Sequence, residues 1–299
     1  MNDSFSSHAV RVPAPALRPF MSHYAGARAQ GVTPGIHAGL PSRHVDLIIS
    51  LAGPIEIIRM PGPAPGPAAF AAFVSGLQDA PAAVRMGADL DLLHLFLKPH
   101  GVRAILGVSS RELTSRVVHL SDIWGRAAGC LMERLVDART WQQRFSILDQ
   151  AFLRALKPVG PPAALGWAWR RLAQTHGCIP VHQLARELAF SRRHFGERFR
   201  AEFGVSPKTA ARIFRFERAC RLIADERPSL AQVAFASGFH DQAHMTREWN
   251  ALAGCTPKVW IANELPNLQD YELAGGDDGD EERSRSRTIE SQPARGARS

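Results

Sequence analysis

Two stretches of this sequence repeat each other, FGVSPK at residues 203–208 and AGCTPK at residues 253–258. In each, a glycine suited to ending one helix precedes a Ser/Thr-Pro pair suited to starting the next. The same offset of 50 residues relates Phe199 to Trp249, whereas an offset of 49 relates Ala185 to Ala234. Repeats of this length are duplicated supersecondary units. The change of offset predicts one extra residue in the turn of the second unit.

Each repeat predicts a helix, a turn and a second helix. Ser191 is positioned to cap the second helix of the first unit, and Asp241 does the same in the second unit. Four-residue steps give these helices their apolar stripes: Phe195, Phe199 and Phe203 in the first, Met245, Trp249 and Leu252 in the second. A long helix from Pro207 to about Ala224 lies between the units, with Ile213, Phe216, Cys220 and Ile223 on its apolar side. The segment therefore predicts two helix–turn–helix units on one connecting helix.

Polar side chains on the outward faces of the two capped helices form the candidate site. They are Arg192, Arg193, Glu197 and Arg198 on the first helix, and Gln242, His244, Thr246 and Arg247 on the second. A helix fits the major groove, where arginine pairs with guanine and glutamine with adenine. A single basic helix is usually only a solvated face. The combination with repeated caps and repeated helix ends favours DNA binding at two successive major-groove faces, roughly 34 Å apart.

Charge is distributed unevenly along the 299 residues, whose formal net charge is +8. Residues 1–164 carry +5, residues 165–262 carry +7 and residues 263–299 carry −4. The highest density of positive charge therefore coincides with the repeated units, which favours an anionic partner there.

The amino-terminal half predicts a small antiparallel β barrel or sandwich. Short apolar runs between residues 36 and 98 alternate with Gly/Pro turns, as in VDLIISL at 45–51 and IEIIRM at 55–60. Helical patterns follow, and capping-box spacing occurs at Ser109 and at Thr140. Two helices within residues 122–156 are expected to form a hairpin, with Ile123, Ala127, Leu131 and Leu135 on one helix and Phe145, Leu148, Phe152 and Leu156 on the other. Their apolar stripes either cover the sheet or, as we predict, form a homodimer interface.

Composition sets the expected domain limits and compartment. We predict a sensor or dimerisation domain at 1–156, a Pro/Gly linker at 157–164, the DNA-binding domain at 165–262 and a disordered tail at 263–299. No apolar run long enough to span a membrane occurs, and no signal peptide is evident. These features predict a cytoplasmic protein without a membrane partner.

Specific motifs in the carboxyl-terminal third resemble the DNA-binding domain of the AraC/XylS family. They are LARELAFSRRHFGERFRAEFGVSPK at 184–208, RFERACRLI at 215–223 and LAQVAFASGFHDQAHMTREWNALAGCTPKVW at 230–260. The resemblance implies two helix–turn–helix units that bind tandem major grooves. It assigns base reading to Arg193, Gly196 and Glu197 in the first unit, and to Gln242, Ala243, Thr246 and Arg247 in the second. Gly196 has no side chain for this role, and Ala243 could touch only a thymine methyl group.

The amino-terminal half resembles, more loosely, the sensor or dimerisation domain of one subgroup of that family. The similar stretches are GLPSRHVDLIISL at 39–51, VSGLQDAP at 74–81 and FLKPHGVRAILGVSSREL at 96–113. This resemblance implies a cupin-like barrel. His37, His44, His94 and His100 are scattered without the clustered His/Glu motif of cupin metal sites. We therefore expect an α+β chain, a barrel or sandwich with a helical hairpin followed by an all-α double helix–turn–helix domain, and no metal or cofactor.

The function predicted from sequence is that of a sequence-specific transcription regulator, either an activator or a repressor. Its expected partner is double-stranded DNA, and the candidate further partners are RNA polymerase, a small-molecule effector and a second copy of the chain. The alternative is a DNA-binding domain fused to a catalytic or purely oligomerising module. Cys130 lacks the Pro-Cys-His-like setting of a repair nucleophile, so we expect no enzyme. A cavity inside the barrel would favour a sensor, and a filled barrel would favour oligomerisation.

The four cysteines form no CxxC pair and no zinc-binding pattern. Most lie within apolar helical patterns, so we expect small buried hydrophobic side chains.

Overall fold

The computed structural model describes residues 6–62, 67–157, 159, 163–226 and 228–263. Within these ranges the amino-terminal half contains ten strands. They are β1 (Ser6–Arg11), β2 (Met21–Ala29), β3 (Gly35–Gly39), β4 (Val45–Ser50), β5 (Ile55–Arg59), β6 (Ala68–Phe70), β7 (Ala72–Ser75), β8 (Ala82–Met86), β9 (Leu90–Leu97) and β10 (Val117–His119). Two antiparallel sheets result, with strand orders β1-β2-β9-β4-β7-β10 and β3-β8-β5-β6. The predicted barrel or sandwich is confirmed.

Because side chains alternate along a strand, the two faces of the larger sheet have different surroundings. Val45, Leu47 and Ile49 of β4 are buried in the main core. Asp46 and Ile48, which alternate with them, face a cavity between the two sheets. The barrel is therefore not filled by its own side chains.

Five α-helices follow β9 in the described amino-terminal half, with β10 between the second and the third: α1 (Val102–Leu106), α2 (Ser110–Leu113), α3 (Leu120–Trp124), α4 (Arg126–Asp137) and α5 (Trp141–Ala155). The capping boxes predicted at Ser109 and Thr140 are both formed. Helices α4 and α5 pack against each other as the expected hairpin. The preceding stripe was assigned to one continuous helix, which is wrong: Gly125, with φ of 54°, separates α3 from α4. That break leaves Ala127 exposed and turns Ala128 inward.

The apolar stripe on α5 packs against other parts of the same chain. Phe145, Leu148 and Phe152 are at most 3% exposed. Phe152 stacks near Trp124 and Tyr24, with ring centroids 5.1 Å and 6.5 Å apart. The prediction that this stripe forms a homodimer interface is therefore wrong, because the stripe is buried within the chain, where the helices cover the sheet. The homodimer itself stays a prediction.

Seven helices form the carboxyl-terminal half: α6 (Ala163–Gln174), α7 (Val181–Glu187), α8 (Arg192–Phe203), α9 (Pro207–Glu226), α10 (Leu230–Ala236), α11 (Gln242–Ala253) and α12 (Pro257–Asn263). Helices α7 and α8 form the first predicted unit, α10 and α11 form the second, and α9 connects them. Half of the predicted linker, residues 158 and 160–162, and all of the predicted tail beyond Asn263 lie outside the described residues.

The two helix–turn–helix units belong to different apolar cores. Phe195, Phe199 and Phe203 of α8 belong to the cluster that also contains the cores of the larger sheet and of the hairpin. Met245 and Trp249 of α11 belong to a separate cluster with the inner side of α9. The first unit thus shares its core with the amino-terminal domain, whereas the second has a core of its own.

Two further expectations needed correction. Strands β1 and β2 lie before residue 36, where no strand was predicted, because their small and polar residues lack a run of large apolar side chains. Among the cysteines only Cys220 is buried. Cys130 and Cys178 are exposed and Cys255 is half-buried, since their helices and turns point them away from the core. Among the described residues no helix is long and apolar enough to cross a membrane.

Candidate nucleic-acid interface

The turn of each unit is built on one residue with positive φ. In the first unit this is Ala189, with φ of 56°, and in the second it is Gly238, with φ of 75°. The amide of the next residue donates back across the turn in both cases, from Phe190 N to Ala185 O and from Phe239 N to Ala234 O. His240 then precedes the cap in the second unit only. It is the extra residue that the change of offset predicts.

The predicted caps begin both second helices. The His194 amide donates to Ser191 Oγ at 3.2 Å, and the His244 amide donates to Asp241 Oδ1 at 2.6 Å. Hydrogen bonds from the His244 amide and from the His240 ring hold the pKa of Asp241 below its usual range. The cap of the second unit is therefore a carboxylate at neutral pH.

Glycine ends both second helices in the left-handed conformation. The φ angle is 80° at Gly204 and 73° at Gly254. Each amide donates to a carbonyl four residues earlier, Arg200 O at 2.8 Å and Asn250 O at 3.0 Å. Helices α8 and α11 therefore have the same length, 12 residues, and the same termini.

The two histidines at equivalent positions support their turns. The His194 ring meets the Phe190 ring edge-on at 5.0 Å, and the His244 ring meets the Phe239 ring edge-on at 5.6 Å. His244 Nδ1 also accepts a hydrogen bond from the His240 amide at 3.3 Å. His244, a predicted DNA-binding residue, thus contributes first to the turn.

The first outward face is strongly basic. Arg192, Arg193, Glu197 and Arg198 are all exposed. Arg193 Nε donates to Glu197 Oε1 at 2.9 Å, an ion pair between two exposed side chains. The Arg198 guanidinium lies over the Phe190 ring, 5.5 Å from its centroid. Arg192 extends from the first position of the helix.

The second outward face is more nearly neutral. Gln242 and Arg247 are exposed, and Thr246 is half-buried. The Thr246 hydroxyl donates to Gln242 O at 2.8 Å, so its methyl group remains for an apolar contact. Ala243 is exposed, as the interpretation of a thymine-methyl contact requires. All eight predicted site residues lie on these two helices, four on each.

The amino-terminal domain contacts the carboxyl-terminal ends of α8 and α11. Thr114 Oγ1 approaches Phe203 O at 3.4 Å, beside the terminal glycine of α8. Pro81 lies against Gly254, where an added Cβ would be 3.1 Å from its Cγ. The outward faces near the caps are left open by these contacts.

The loop between β3 and β4 reaches the connecting helix. The Arg43 amide donates to Glu217 Oε1 at 2.7 Å, and its guanidinium forms an ion pair with the same carboxylate. The guanidinium also lies 5.1 Å from the Phe214 ring centroid. Leu40 packs against the core of the second unit.

Comparison with known proteins identifies a domain family in the carboxyl-terminal region. Residues 184–263 match a family described as a helix–turn–helix domain, which covers both units from Leu184 onward. The carboxyl-terminal region therefore contains a helix–turn–helix domain of this family.

Several solved structures are similar to parts or most of the chain. ToxT from Vibrio cholerae aligns over 88% of this chain and 98% of its own length, with 8% identity and a TM-score of 0.47. The DNA-binding domain of AdpA, solved in complex with a target DNA, covers 35% of this chain and 92% of its own, with 27% identity and a TM-score of 0.31. The AraC-like transcriptional activator CuxR covers 72% and 94%, with 14% identity and a TM-score of 0.30. No curated protein matches the sequence.

Sequence reasoning missed the residues around the cavity and in the β3–β4 loop. Asp46 and His94 face the cavity from neighbouring strands, and Gln78 joins them. A polar residue within an otherwise apolar strand pattern, as in VDLII, was the available signal. Of the four histidines described as scattered, His37 and His94 share this cavity, but the described residues contain no group of three or more His, Cys, Asp or Glu side chains placed for a metal ion.

Proposed function

We propose that α8 and α11 enter two successive major grooves on one face of a DNA duplex and read its sequence. The observation that carries the proposal is the geometric equivalence of the two helices. Both are 12 residues long, begin at a side-chain cap, end at a left-handed glycine and present an open polar face, although the capping residue is Ser191 in one and Asp241 in the other.

The connecting helix supports this spacing. Helix α9 has 20 residues, which corresponds to about 30 Å at a rise of about 1.5 Å per residue. Successive major-groove faces on one side of B-DNA are roughly 34 Å apart. A rigid helix of this length therefore suits two insertions one helical turn apart.

The two helices supply different chemistry to the contact. Arg192, Arg193 and Arg198 offer positive charge to phosphates and to guanine. Gln242 and Arg247 can form two-point hydrogen bonds with adenine and guanine, and Thr246 and Ala243 offer methyl groups to thymine. Glu197 can accept from cytosine when its ion pair with Arg193 opens. His244 is expected to contact DNA only through the part of its ring left exposed by the turn.

Selection from a random-sequence DNA pool with the full chain tests the proposal. We expect a consensus of two short elements whose centres lie about 10–10.5 base pairs apart. Inserting five base pairs between them should turn the second element to the opposite face and weaken binding at least tenfold. A ten-base-pair insertion serves as the control that restores the face but not the distance. A single short element, or indifference to the five-base-pair insertion, would contradict the proposal.

A second function, the sensing of a small molecule, is favoured by the cavity between the sheets, because a purely oligomerising barrel has no need of one. The homodimer and the contact with RNA polymerase stay predictions. Sedimentation of the full chain at micromolar concentration tests the first, and transcription from the selected DNA with purified polymerase tests the second.

A further inference from the structure

The cavity between the two sheets has the size and lining of a small-molecule site. Its volume is about 380 Å³, within the range of ligand pockets. Most of its wall is apolar, with contributions from both sheets: Ala27, Ile48, Ile57, Phe73, Val84 and Leu92.

One part of the wall is polar. His94 Nε2 and Asp46 Oδ1 lie 3.1 Å apart on neighbouring strands, but their orientation makes no hydrogen bond. Gln78 donates to Gly39 O at 3.0 Å, which leaves its Oε1 without a partner among the described residues. Gln78 is 6% exposed. Buried polar atoms are normally hydrogen-bonded, so a cluster of unsatisfied ones beside a cavity indicates a ligand that interacts there.

The charged side chains of the cavity wall limit which charge a ligand can carry. Among the described residues that line the cavity, Asp46 is acidic and none is lysine or arginine. The basic side chains among these residues are His37 and His94, and His94 already lies 3.1 Å from Asp46. A carboxylate or phosphate placed beside Asp46 would be desolvated next to another carboxylate without a lysine or arginine partner, which is costly. An uncharged or positively charged donor group would instead be stabilised by Asp46 and by Gln78.

We propose that this cavity binds a largely apolar molecule that carries a hydrogen-bond donor, such as a hydroxyl or amino group, and no acid group. The molecule lies between the sheets with its donor group toward Asp46 and its apolar body against Ile57 and Leu92.

The same site is placed to affect DNA binding, and this part of the inference rests on the proposed function. Gly39 and Leu40 line the cavity, and Leu40 also packs against the core of the second helix–turn–helix unit. Three residues further along the loop, Arg43 binds Glu217 of α9. A ligand that presses on Leu40 therefore acts on the position of the second unit relative to the barrel. Because such coupling is reciprocal, DNA changes the ligand affinity by the same factor.

Fluorescence titration of the full chain with N-phenyl-1-naphthylamine, a neutral apolar probe, tests the ligand class. We expect one probe molecule to bind per chain. 1-Decanol and decylamine should displace it at concentrations at least tenfold lower than the concentration of decanoate that does so. Equal displacement by decanoate would overturn the proposed selectivity, and the lack of saturable probe binding would overturn the site.

Two variants locate the site. Ile57→Trp fills the cavity and should abolish probe binding. Asp46→Asn should retain the probe but lose most of the preference for decylamine over decanoate. Asp137→Asn is the matched control, since Asp137 is exposed on α4 and neither it nor its chain neighbours line the cavity. If Ile57→Trp fails to fold, as judged by circular dichroism, Asp46→Asn decides alone. An unchanged amine preference in Asp46→Asn would contradict the proposal.

The coupling is measured with the DNA selected by the two-part consensus. Saturating DNA should change the probe affinity by about fivefold or more, and Leu40→Ala should bring this factor close to one without loss of probe binding. An unaltered probe affinity would contradict the coupling. Probe binding without any DNA binding would contradict the proposed function but not the cavity, and the reverse result would contradict the cavity alone.

Discussion

The two helix–turn–helix units have the same geometry and different surroundings. In the first, the helix α8 is basic and its buried stripe is continuous with the core of the amino-terminal domain. In the second, the helix α11 is nearly neutral and its stripe closes a core of its own with α9. The comparison teaches that duplicated helix geometry can be kept while charge, capping and support diverge. We infer that the first unit contributes mainly affinity, and the second mainly base discrimination.

The largest expected effect is the loss of stability when a large side chain is removed from the core of the second helix–turn–helix unit. Trp249→Ala should cost about 3–5 kcal/mol, because it removes a large side chain that is 1% exposed. The loss should be confined to α9–α12, since Trp249 belongs to the second cluster. Hydrogen exchange should show protection lost there and retained in β4 and β9. Phe199→Ala is the matched variant, expected to reduce protection in the barrel as well, and identical exchange patterns for the two variants would contradict the division.

A smaller effect separates the roles of the two outward faces. Arg247→Ala should weaken specific binding by about 1–3 kcal/mol and relax the preference at one base position. Arg192→Ala should weaken binding to all sequences alike and reduce the slope of log affinity on log salt by about 1. Competition with single-base variants of the selected DNA measures both. Uniform loss for Arg247→Ala would show a phosphate contact, and unchanged binding would remove Arg247 from the interface.

The turns differ in how well their residue suits a positive φ. Ala189 occupies a left-handed conformation that costs an L-residue roughly 1–2 kcal/mol, whereas glycine adopts it freely at a cost in unfolded-state entropy of roughly 0.5–1 kcal/mol. Ala189→Gly should therefore stabilise the first unit by up to about 1 kcal/mol in urea unfolding. The reverse change, Gly238→Ala, should destabilise the second unit, because φ is positive there and the added Cβ would clash with Cys178 Sγ. Stabilisation by Gly238→Ala would contradict this account of the turns.

The smallest effect follows from the caps. The pKa of Asp241 is lowered in the folded chain, first by the His244 amide and then by His240. Its contribution to stability is therefore complete above the ordinary aspartate pKa and is lost as pH falls through the lowered value. The Ser191 cap of the first unit has no such titration. Between pH 5 and pH 3, the wild-type chain should lose more helix in the second unit than Asp241→Ser, as followed by hydrogen exchange. Parallel losses in the two proteins would contradict the assignment.

The local parts of this architecture were predictable from sequence. Caps, terminal glycines, stripes and the extra turn residue depend on neighbours within a few positions, so their spacing along the chain is enough. The connecting helix and the apolar strands from Val45 onward followed for the same reason.

Contacts between distant segments were not predictable in this way. Phe145, Leu148 and Phe152 gave no sign of whether a sheet or a second chain covers them. The predicted limit between the amino-terminal domain and the DNA-binding domain at 165–262 has the same difficulty. Phe203 lies in a cluster shared with the barrel, so this domain boundary stays a prediction. The cavity needed the pairing of β4 with β9, which brings Asp46 close to His94.

Hydroxyl-radical footprinting of the full chain on its selected duplex tests the central claim most directly, because it reports how many groove faces are covered. The account predicts two protected windows on one face of the DNA, with centres about 10–10.5 base pairs apart. Arg247→Ala should weaken protection in one window before the other. A single window, with protection that α8 alone accounts for, would contradict the claim that both helices enter the DNA.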